Sequence, residues 1–387
     1  MSGFKSLVCF LLFFSLMLAA VSSISASAEG GSYPSISAEA AVLIEAESGE
    51  IVYSHNENTR LPMASTTKIV TALTALTLKE PSTPISVPPE AIGVEGSSVY
   101  LVEGEVLTLE QLLYALLLES ANDAAVAIAV GLSGSIETFA DQMNSVSESL
   151  KLQNTHFVNP HGLDGEEHYT TAYELACLTR CALQNDLIRT IVGTRKHTIP
   201  HPGDVGTRLL VNHNKLLRLY DGCIGVKTGF TKRSGRCLVS AAERDGVMLI
   251  AVTLNAPNDW NDHSSMLDYG FSRYESVLLC NDEELLFPLP VVGGADAYVM
   301  LVNAETLRVT LPRDHGEIKL TVEAPHFAYA PIAEGETVGR AVYRCDVDGD
   351  GVAEIIAETT LDACYGVLRH QVKKSFWNWF LELFRKQ

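Results

Sequence analysis

A serine and a lysine three positions apart open the first helix-like stretch of the sequence. Ser65 and Lys68 stand in the run Ser-Thr-Thr-Lys, shortly after Pro62. Because residues i and i+3 share one face of a helix, the Lys68 amine can reach the Ser65 hydroxyl. A serine is a weak nucleophile until a base takes its proton, and a lysine can be that base where burial or a second cation lowers its pKa. The pair alone is a weak signal, since Ser2 and Lys5 have the same spacing.

Two further short patterns could complete a nucleophilic site. Ser120 and Asn122 end an apolar helix-like region, where a hydroxyl and an amide could relay a proton and hold a substrate carbonyl. Lys227, Thr228 and Gly229 follow a β-like run and offer a fixed cation, a hydroxyl for an anion and close approach of a substrate backbone. Such patterns arise often by chance, but all three in this order, 55 and 107 residues apart, seldom do.

The elements that must position these residues follow an α+β order. Apolar runs at residues 41–45 and 51–54, joined by a Glu-Ser-Gly-Glu turn, predict a β-hairpin. Helical periodicity occupies 65–78, 107–130, 136–150 and 171–184, and residues 223–252 return to short apolar runs broken by glycines. Strands first, helices in the middle and strands last predict helices packed on an antiparallel sheet.

The 387 residues exceed one ordinary domain and divide into five predicted segments. Residues 1–28 join Lys5, an apolar run at 7–21 and an Ala-Ser-Ala cleavage site, which predicts a secretory signal peptide and an exported protein. Residues 29–37 are a predicted linker, 38–280 the α+β domain and 285–367 a small all-β domain. Residues 370–387 are predicted to form an amphipathic helix.

That last segment separates aromatic from charged side chains. At 100° per residue, one broad face collects Phe376, Trp377, Trp379, Phe380, Leu381, Leu383 and Phe384. Four Lys or Arg residues against one Glu favour a helix that lies in a membrane interface, and the segment is too short and too charged to span a membrane. The alternative is a helix docked on the protein itself.

Composition excludes some functions and leaves one question open. Twenty-eight Lys and Arg against 47 Asp and Glu give a net charge of −19, so nucleic acid is not an expected partner. No Cys-x-x-Cys or His-Glu-x-x-His pair suggests a metal, and no cofactor is expected. The run from Asp346 to Gly351 begins like a calcium loop, but Ala357 stands where the loop needs Glu, so a tight turn between strands is the preferred interpretation.

With their flanks, the three motifs resemble those of the penicillin-recognising serine enzymes. The longer matches are similar to the low-molecular-mass D-alanyl-D-alanine carboxypeptidases of peptidase family S11. They lie at 62–68, 159–164, 168–172, 225–231, 235–239 and 267–271. The resemblance is strong over residues 38–275, whereas the β domain and the last segment match the family in layout more than in sequence.

The resemblance implies a serine-type D-Ala-D-Ala carboxypeptidase. Ser65 would attack the peptide bond between the last two D-alanines of a peptidoglycan stem peptide, with Lys68 as the base. Ser120 would pass the proton toward the leaving amine, and Asn122 would hold the acyl-side carbonyl. Water would then hydrolyse the acyl-enzyme, and penicillins would trap the same serine.

The third motif implies substrate binding. Lys227 would keep Lys68 neutral and draw the anionic substrate, while Thr228 would bind its terminal carboxylate and Gly229 would admit its backbone. The backbone N–H groups of Ser65 and Phe230 would form the oxyanion hole. The expected location is the bacterial cell envelope, at the outer face of the cytoplasmic membrane.

Some positions depart from the family pattern. Ala121 replaces a usual glycine, and residues 258–263 lack an Arg that many relatives carry there, which leaves one carboxylate contact open. A serine β-lactamase is one alternative, but the Glu-x-x-x-Asn pair of class A enzymes is missing because residue 170 is a threonine. A catalytically silent wall-binding scaffold is the other. His161 and His168 are expected to shape the loop beside the site rather than to exchange protons.

Overall fold

The computed structural model describes residues 33–202 and 206–370. The predicted signal peptide and, beyond His370, the predicted amphipathic helix lie outside the described residues.

The part of the chain up to residue 273 contains nine strands and eight helices among the described residues. The strands are β1 (Ala40–Glu45), β2 (Ile51–His55), β3 (Pro84–Ser86), β4 (Val106–Thr108), β5 (Lys196–Pro200), β6 (Thr207–Val211), β7 (Cys223–Thr231), β8 (Gly235–Arg244) and β9 (Val247–Leu254). The helices are α1 (Lys68–Leu78), α2 (Leu109–Leu118), α3 (Asn122–Ser133), α4 (Ile136–Ser149), α5 (Ala172–Leu183), α6 (Asp186–Gly193), α7 (Leu216–Leu219) and α8 (Asp259–Arg273).

A five-stranded antiparallel sheet in the order β2-β1-β9-β8-β7 forms the centre of this part. Apolar side chains project from both faces of the sheet. Val42 and Ile44 of β1 join the core formed with the helices α1–α6, while Leu43 joins a second core with α8. Strand β1 is buried along its whole length because helices cover both faces. The predicted α+β class, with helices on an antiparallel sheet, is confirmed.

The predicted helix 107–130 is in fact a short strand and two helices. Strand β4 leads into α2, whose N-terminus has a capping box between Thr108 and Gln111. Helix α2 ends at Leu118, and α3 starts four residues later. Ser120 stands in the break with a φ of 60°, a backbone conformation that no helix interior tolerates. The apolar pattern runs through both helices, so periodicity alone could not reveal the break.

The second part of the chain is all β, as predicted. Its strands are β10 (Tyr274–Cys280), β11 (Leu286–Val292), β12 (Tyr298–Asn303), β13 (Leu307–Pro312), β14 (Lys319–Glu323), β15 (Ala328–Tyr329), β16 (Thr337–Cys345) and β17 (Glu354–Ala363). Six of them form a sheet in the order β14-β16-β17-β12-β11-β15, over a core that includes Leu289, Val299 and Leu361. Strand β10 follows α8 directly and pairs with β13.

The acidic run between β16 and β17 forms a tight turn. The carboxylate of Asp346 accepts hydrogen bonds from the backbone N–H groups of Gly349 and Gly351, at 2.8 and 3.0 Å. Asp348 and Asp350 bring one carboxylate oxygen each to within 4.8 Å of it. The run is thus a tight turn between two paired strands, as the preferred interpretation has it.

The described part of the chain has no single helix suited to span a membrane and no disulfide. No single helix there combines the length and apolar character of a membrane span. Among the described helices, α3 and α4 reach both only when taken together, and they are bent by 88° at the break between them. The seven described cysteines are free thiols.

Candidate active site

Ser65 lies in a tight turn that runs straight into α1. Residues Ala64–Thr67 form one 3-10 turn, and Lys68 is the first residue of the α-helix. Ala64 begins the turn with a φ of 47°. The Lys68 amine lies 3.0 Å from Ser65 Oγ, so the structure brings together the pair that the spacing predicts.

Lys68 is fully buried, and its amine has two other acceptors. Lys68 Nζ donates to Asn122 Oδ1 at 2.6 Å and to the backbone oxygen of His161 at 2.5 Å. A neutral amine has two N–H bonds and one lone pair, whereas an ammonium has three N–H bonds. With both N–H bonds so engaged, the lone pair of a neutral Lys68 points to the Ser65 hydroxyl.

Electrostatics favour that neutral form. Burial lowers the pKa of Lys68 well below its usual value, and the positive charge of Lys227 lowers it further. Lys227 is also buried, which lowers its own pKa to about 7. Among the described residues, neither amine is within ion-pair distance of a carboxylate, and Lys227 Nζ donates to the backbone oxygen of Thr228 at 2.9 Å.

The second motif occupies the break between α2 and α3. Asn122 is held by its backbone N–H, which donates to Ser97 O at 2.7 Å, and by its Nδ2, which donates to Glu95 O at 2.5 Å. Nδ2 uses one of its two N–H bonds in this contact. With the side-chain amide fixed in this way, Asn122 Oδ1 accepts from Lys68 Nζ and orients the amine, a contact that the sequence did not predict. Ser120 lines the same cavity as Ser65.

The third motif lies on β7, at the edge of the sheet. A Cβ atom at Gly229 would come 3.0 Å from the Ser65 backbone nitrogen and 3.1 Å from Met63 O. Glycine at this position thus allows β7 to pack against the turn that carries the nucleophile, besides the substrate approach that was expected of it. Phe230 follows and is 65% exposed.

A cavity of about 380 Å³ joins the three motifs. Ser65, Ser120, Thr228, Gly229 and Phe230 line it, and Lys68, Asn122 and Lys227 lie behind it. Six further lining residues were missed by sequence reasoning. They are Ser97, His213, Lys215, Arg236, Asp259 and Trp260.

One wall of the cavity carries two cations. Arg236 on β8 donates from an Nη to Asp259 Oδ2 at 2.8 Å, and Asp259 is buried at the start of α8. The guanidinium carbon lies 5.7 Å from the centre of the Trp260 ring, and Lys215 Nζ lies 6.0 Å from the same ring. The stretch 258–263, which lacks the expected Arg, thus supplies the carboxylate that holds an Arg from the neighbouring strand. The β7–β8 register, which pairs Phe230 with Arg236, is the signal that could have found it.

His168 is buried and His161 is half-buried, and burial favours the neutral form of both rings. Burial lowers the pKa of His161 to about 3 and that of His168 to about 4. His168 Nδ1 accepts from the Val158 backbone N–H at 3.1 Å, so its Nε2 carries the proton and donates to Thr67 Oγ1 at 2.9 Å. These contacts tie the loop to the nucleophile turn and favour the predicted loop-shaping role.

The site combines a serine beside a buried lysine, a Ser-x-Asn break between two helices and a Lys-Thr-Gly edge strand. Together these features define the class of penicillin-recognising serine enzymes. Within that class, the family model described as D-alanyl-D-alanine carboxypeptidase, peptidase S11, matches residues 27–258. The chain belongs to this family.

Relatives and solved structures agree with this assignment. The D-alanyl-D-alanine carboxypeptidase DacF of Bacillus subtilis is 32% identical over 84% of this chain and 85% of its own length. The fold is similar to that of penicillin binding protein 5 from Haemophilus influenzae, with a TM-score of 0.64, 26% identity and coverage of 87% of this chain and 99% of that one. The Streptomyces K15 DD-transpeptidase matches 62% of this chain over 99% of its own, with a TM-score of 0.59 and 30% identity.

Proposed function

We propose that this chain is a serine-type D-Ala-D-Ala carboxypeptidase that removes the terminal D-alanine from peptidoglycan stem pentapeptides. The observation that carries the proposal is the buried Lys68 amine, 3.0 Å from Ser65 Oγ at the floor of an open cavity. Family membership supplies the substrate class, and the geometry supplies a nucleophile with its base.

The reaction begins when Lys68 takes the proton of Ser65. Ser65 Oγ then attacks the carbonyl carbon of the penultimate D-alanine, and the oxyanion is held by the backbone N–H groups of Ser65 and Phe230. Each such donor is worth about 3 kcal/mol in the transition state. The proton passes by way of Ser120 to the nitrogen of the terminal D-alanine, and the peptide bond breaks. Water hydrolyses the acyl-enzyme by the same groups in reverse.

The cation wall binds the free carboxylate of the substrate. The Thr228 hydroxyl and the Arg236 guanidinium line the same cavity as the nucleophile. Arg236 is held by Asp259 on one side and exposes 43% of its side chain. Asn122 holds the acyl-side carbonyl with its second N–H, and Lys227 keeps Lys68 neutral. This arrangement selects peptides with a free C-terminus.

The two alternative functions have less support. Thr170 is buried and its hydroxyl pairs with Thr155 Oγ1 at 2.8 Å, while Glu166 is exposed and outside the cavity lining. A class A β-lactamase needs a carboxylate and an amide there to activate the deacylating water. A silent scaffold would have no need of a buried lysine directed at a serine.

Intact-mass spectrometry of the mature chain with penicillin tests the proposal. We expect one persistent adduct, absent in Ser65→Ala and retained in Ser97→Ala, a matched control on the wall of the same cavity. D-alanine release from a pentapeptide should be lost in the same variant. A transient adduct with rapid turnover of penicillin would indicate the β-lactamase instead, and a folded chain without any adduct would indicate the scaffold.

Location and domain division complete the proposal. The enzyme is exported to the cell envelope, with residues 38–280 as the catalytic domain, 285–367 as the β domain and 370–387 as a helix on the outer face of the cytoplasmic membrane. The Streptomyces relative supports the first division, since nearly all of it matches 62% of this chain. The aromatic face of the last segment supports the membrane helix.

A further inference from the structure

One end of the six-stranded sheet exposes a group of aromatic and aliphatic side chains. This hairpin-end surface surrounds the turn between β11 and β12, at residues 293–297. Each of its six side chains is between 41% and 75% exposed. They are Val292, Tyr298, Phe327, Tyr329, Tyr365 and Leu368.

Backbone pairing brings these side chains to the same end. Val292 pairs with Tyr329 in the parallel register of β11 and β15, and Phe327 meets the Tyr329 ring edge to face, with ring centres 5.4 Å apart. The Tyr365 hydroxyl donates to Tyr298 O at 3.3 Å. Leu368 O accepts from the backbone N–H of Ala295 in the hairpin turn, at 2.8 Å. The six side chains therefore form one surface.

The fold does not need these side chains for its own core. The inward residues of the same strands, such as Val291 and Val299, already bury the apolar face, with 8% and 0% exposure. Contiguous exposed apolar side chains on a protein surface mark sites of contact with a partner or a membrane. Tyrosine in particular suits a boundary that is apolar on one side and wet on the other.

The chain leaves the β part at this very surface. The His370 backbone N–H donates to Gly293 O at 2.8 Å, and Arg369 forms a bridge with Gly294. The sequence continues for 17 residues beyond His370, which include the aromatic face described above. Whatever that segment binds is thus held next to the hairpin-end surface.

We propose that the hairpin-end surface itself lies in the interface of a lipid bilayer, beside the C-terminal segment. This inference rests on the membrane attachment in the proposed function. Two contacts, one from the segment and one from the sheet end, restrict how the enzyme tilts at the membrane, whereas a segment alone would act as a tether.

Vesicle co-sedimentation of the full mature chain tests the inference, with vesicles of phosphatidylethanolamine and phosphatidylglycerol. We expect Tyr329→Ser/Leu368→Ser to lower the partition coefficient about tenfold, which is the worth of roughly one buried leucine-sized side chain. The matched control, Tyr100→Ser/Leu219→Ser, removes equally exposed side chains from the first part of the chain and should stay within about twofold of wild type. Thermal unfolding of each variant shows that the fold is retained.

The outcomes distinguish membrane contact by the hairpin-end surface from membrane attachment by the C-terminal segment. If wild type and a chain ending at His370 both fail to bind vesicles, the attachment and the surface proposal fall together. If wild type binds and the double variant binds equally well, the surface proposal alone is wrong. Stronger binding by the variant would mean that the C-terminal segment packs on this surface in solution. A change of sedimentation coefficient without vesicles would mean that a second copy covers it, and either result overturns the inference.

Discussion

Replacing Arg236 by alanine should impair the enzyme only toward substrates with a free terminal carboxylate. The guanidinium and the Thr228 hydroxyl share the wall of the cavity, and Asp259 fixes the guanidinium at 2.8 Å. A hydrogen bond to a charged group contributes about 1.5–3 kcal/mol. Lys215 stays on the same wall in the variant, so the loss should lie near the lower limit. We expect kcat/KM to fall about tenfold to thirtyfold.

The assay compares two peptides that differ at one group. D-alanine release is measured from a peptide ending in D-Ala-D-Ala, and D-alaninamide release from the same peptide with a C-terminal amide. The variant should lose the stated factor with the acid and less than about threefold with the amide. Arg233→Ala is the matched control, since Arg233 is an exposed residue of the β7–β8 turn outside the cavity lining. Its kinetics should match wild type with both peptides.

Equal losses with the two peptides would refute the reasoning. Arg236 would then act through the fold, for example because its removal leaves the Trp260 backbone N–H, at 2.9 Å, as the one remaining donor to the buried Asp259 carboxylate among the described residues. Thermal unfolding checks this route, because a buried carboxylate that loses its ion-pair partner costs about 3–5 kcal/mol of stability. No loss with either peptide would assign the carboxylate to Thr228 and Lys215.

Two further predictions concern pH. Lys227→Gln removes the charge that lowers the pKa of Lys68, so the acidic limb of the kcat–pH profile should move to higher pH; a loss confined to KM would contradict this role. His263 is buried between the Ser240 and Thr253 hydroxyls, and burial lowers its pKa from 6.5 to about 3. The unfolded chain therefore binds the proton more tightly, and stability that is complete above pH 6.5 is lost as the pH falls toward 3. Urea unfolding should show wild type losing about 2 kcal/mol more than His263→Gln between pH 7 and 5. Parallel losses in the two proteins would contradict the assignment.

The sequence predicts those parts of the site whose residues lie close together along the chain. Ser65 and Lys68 meet because three positions make one helical turn, and the α+β order follows from apolar periodicity. The Ser120 motif was placed at the end of an apolar helix, but periodicity extended the helical prediction to residue 130. The positive φ of Ser120, which separates α2 from α3, leaves no trace in the hydropathy pattern. The pairing of Arg236 with Asp259 spans 23 residues and depends on how the start of α8 packs beside β8, a relation that hydropathy patterns do not contain.

The buried amines of Lys68 and Lys227, which have no carboxylate partner among the described residues, also affect the free energy of unfolding of the catalytic part. Desolvating an amine costs free energy whether it stays charged or gives up its proton, and the polar contacts of Lys68 and Lys227 offset only part of that cost. The same burial that makes Lys68 a base thus lowers the stability of the resting enzyme. A related protein that no longer needed catalysis could gain stability by having apolar side chains at these two positions. Keeping both lysines therefore makes physical sense only where the site is used for catalysis.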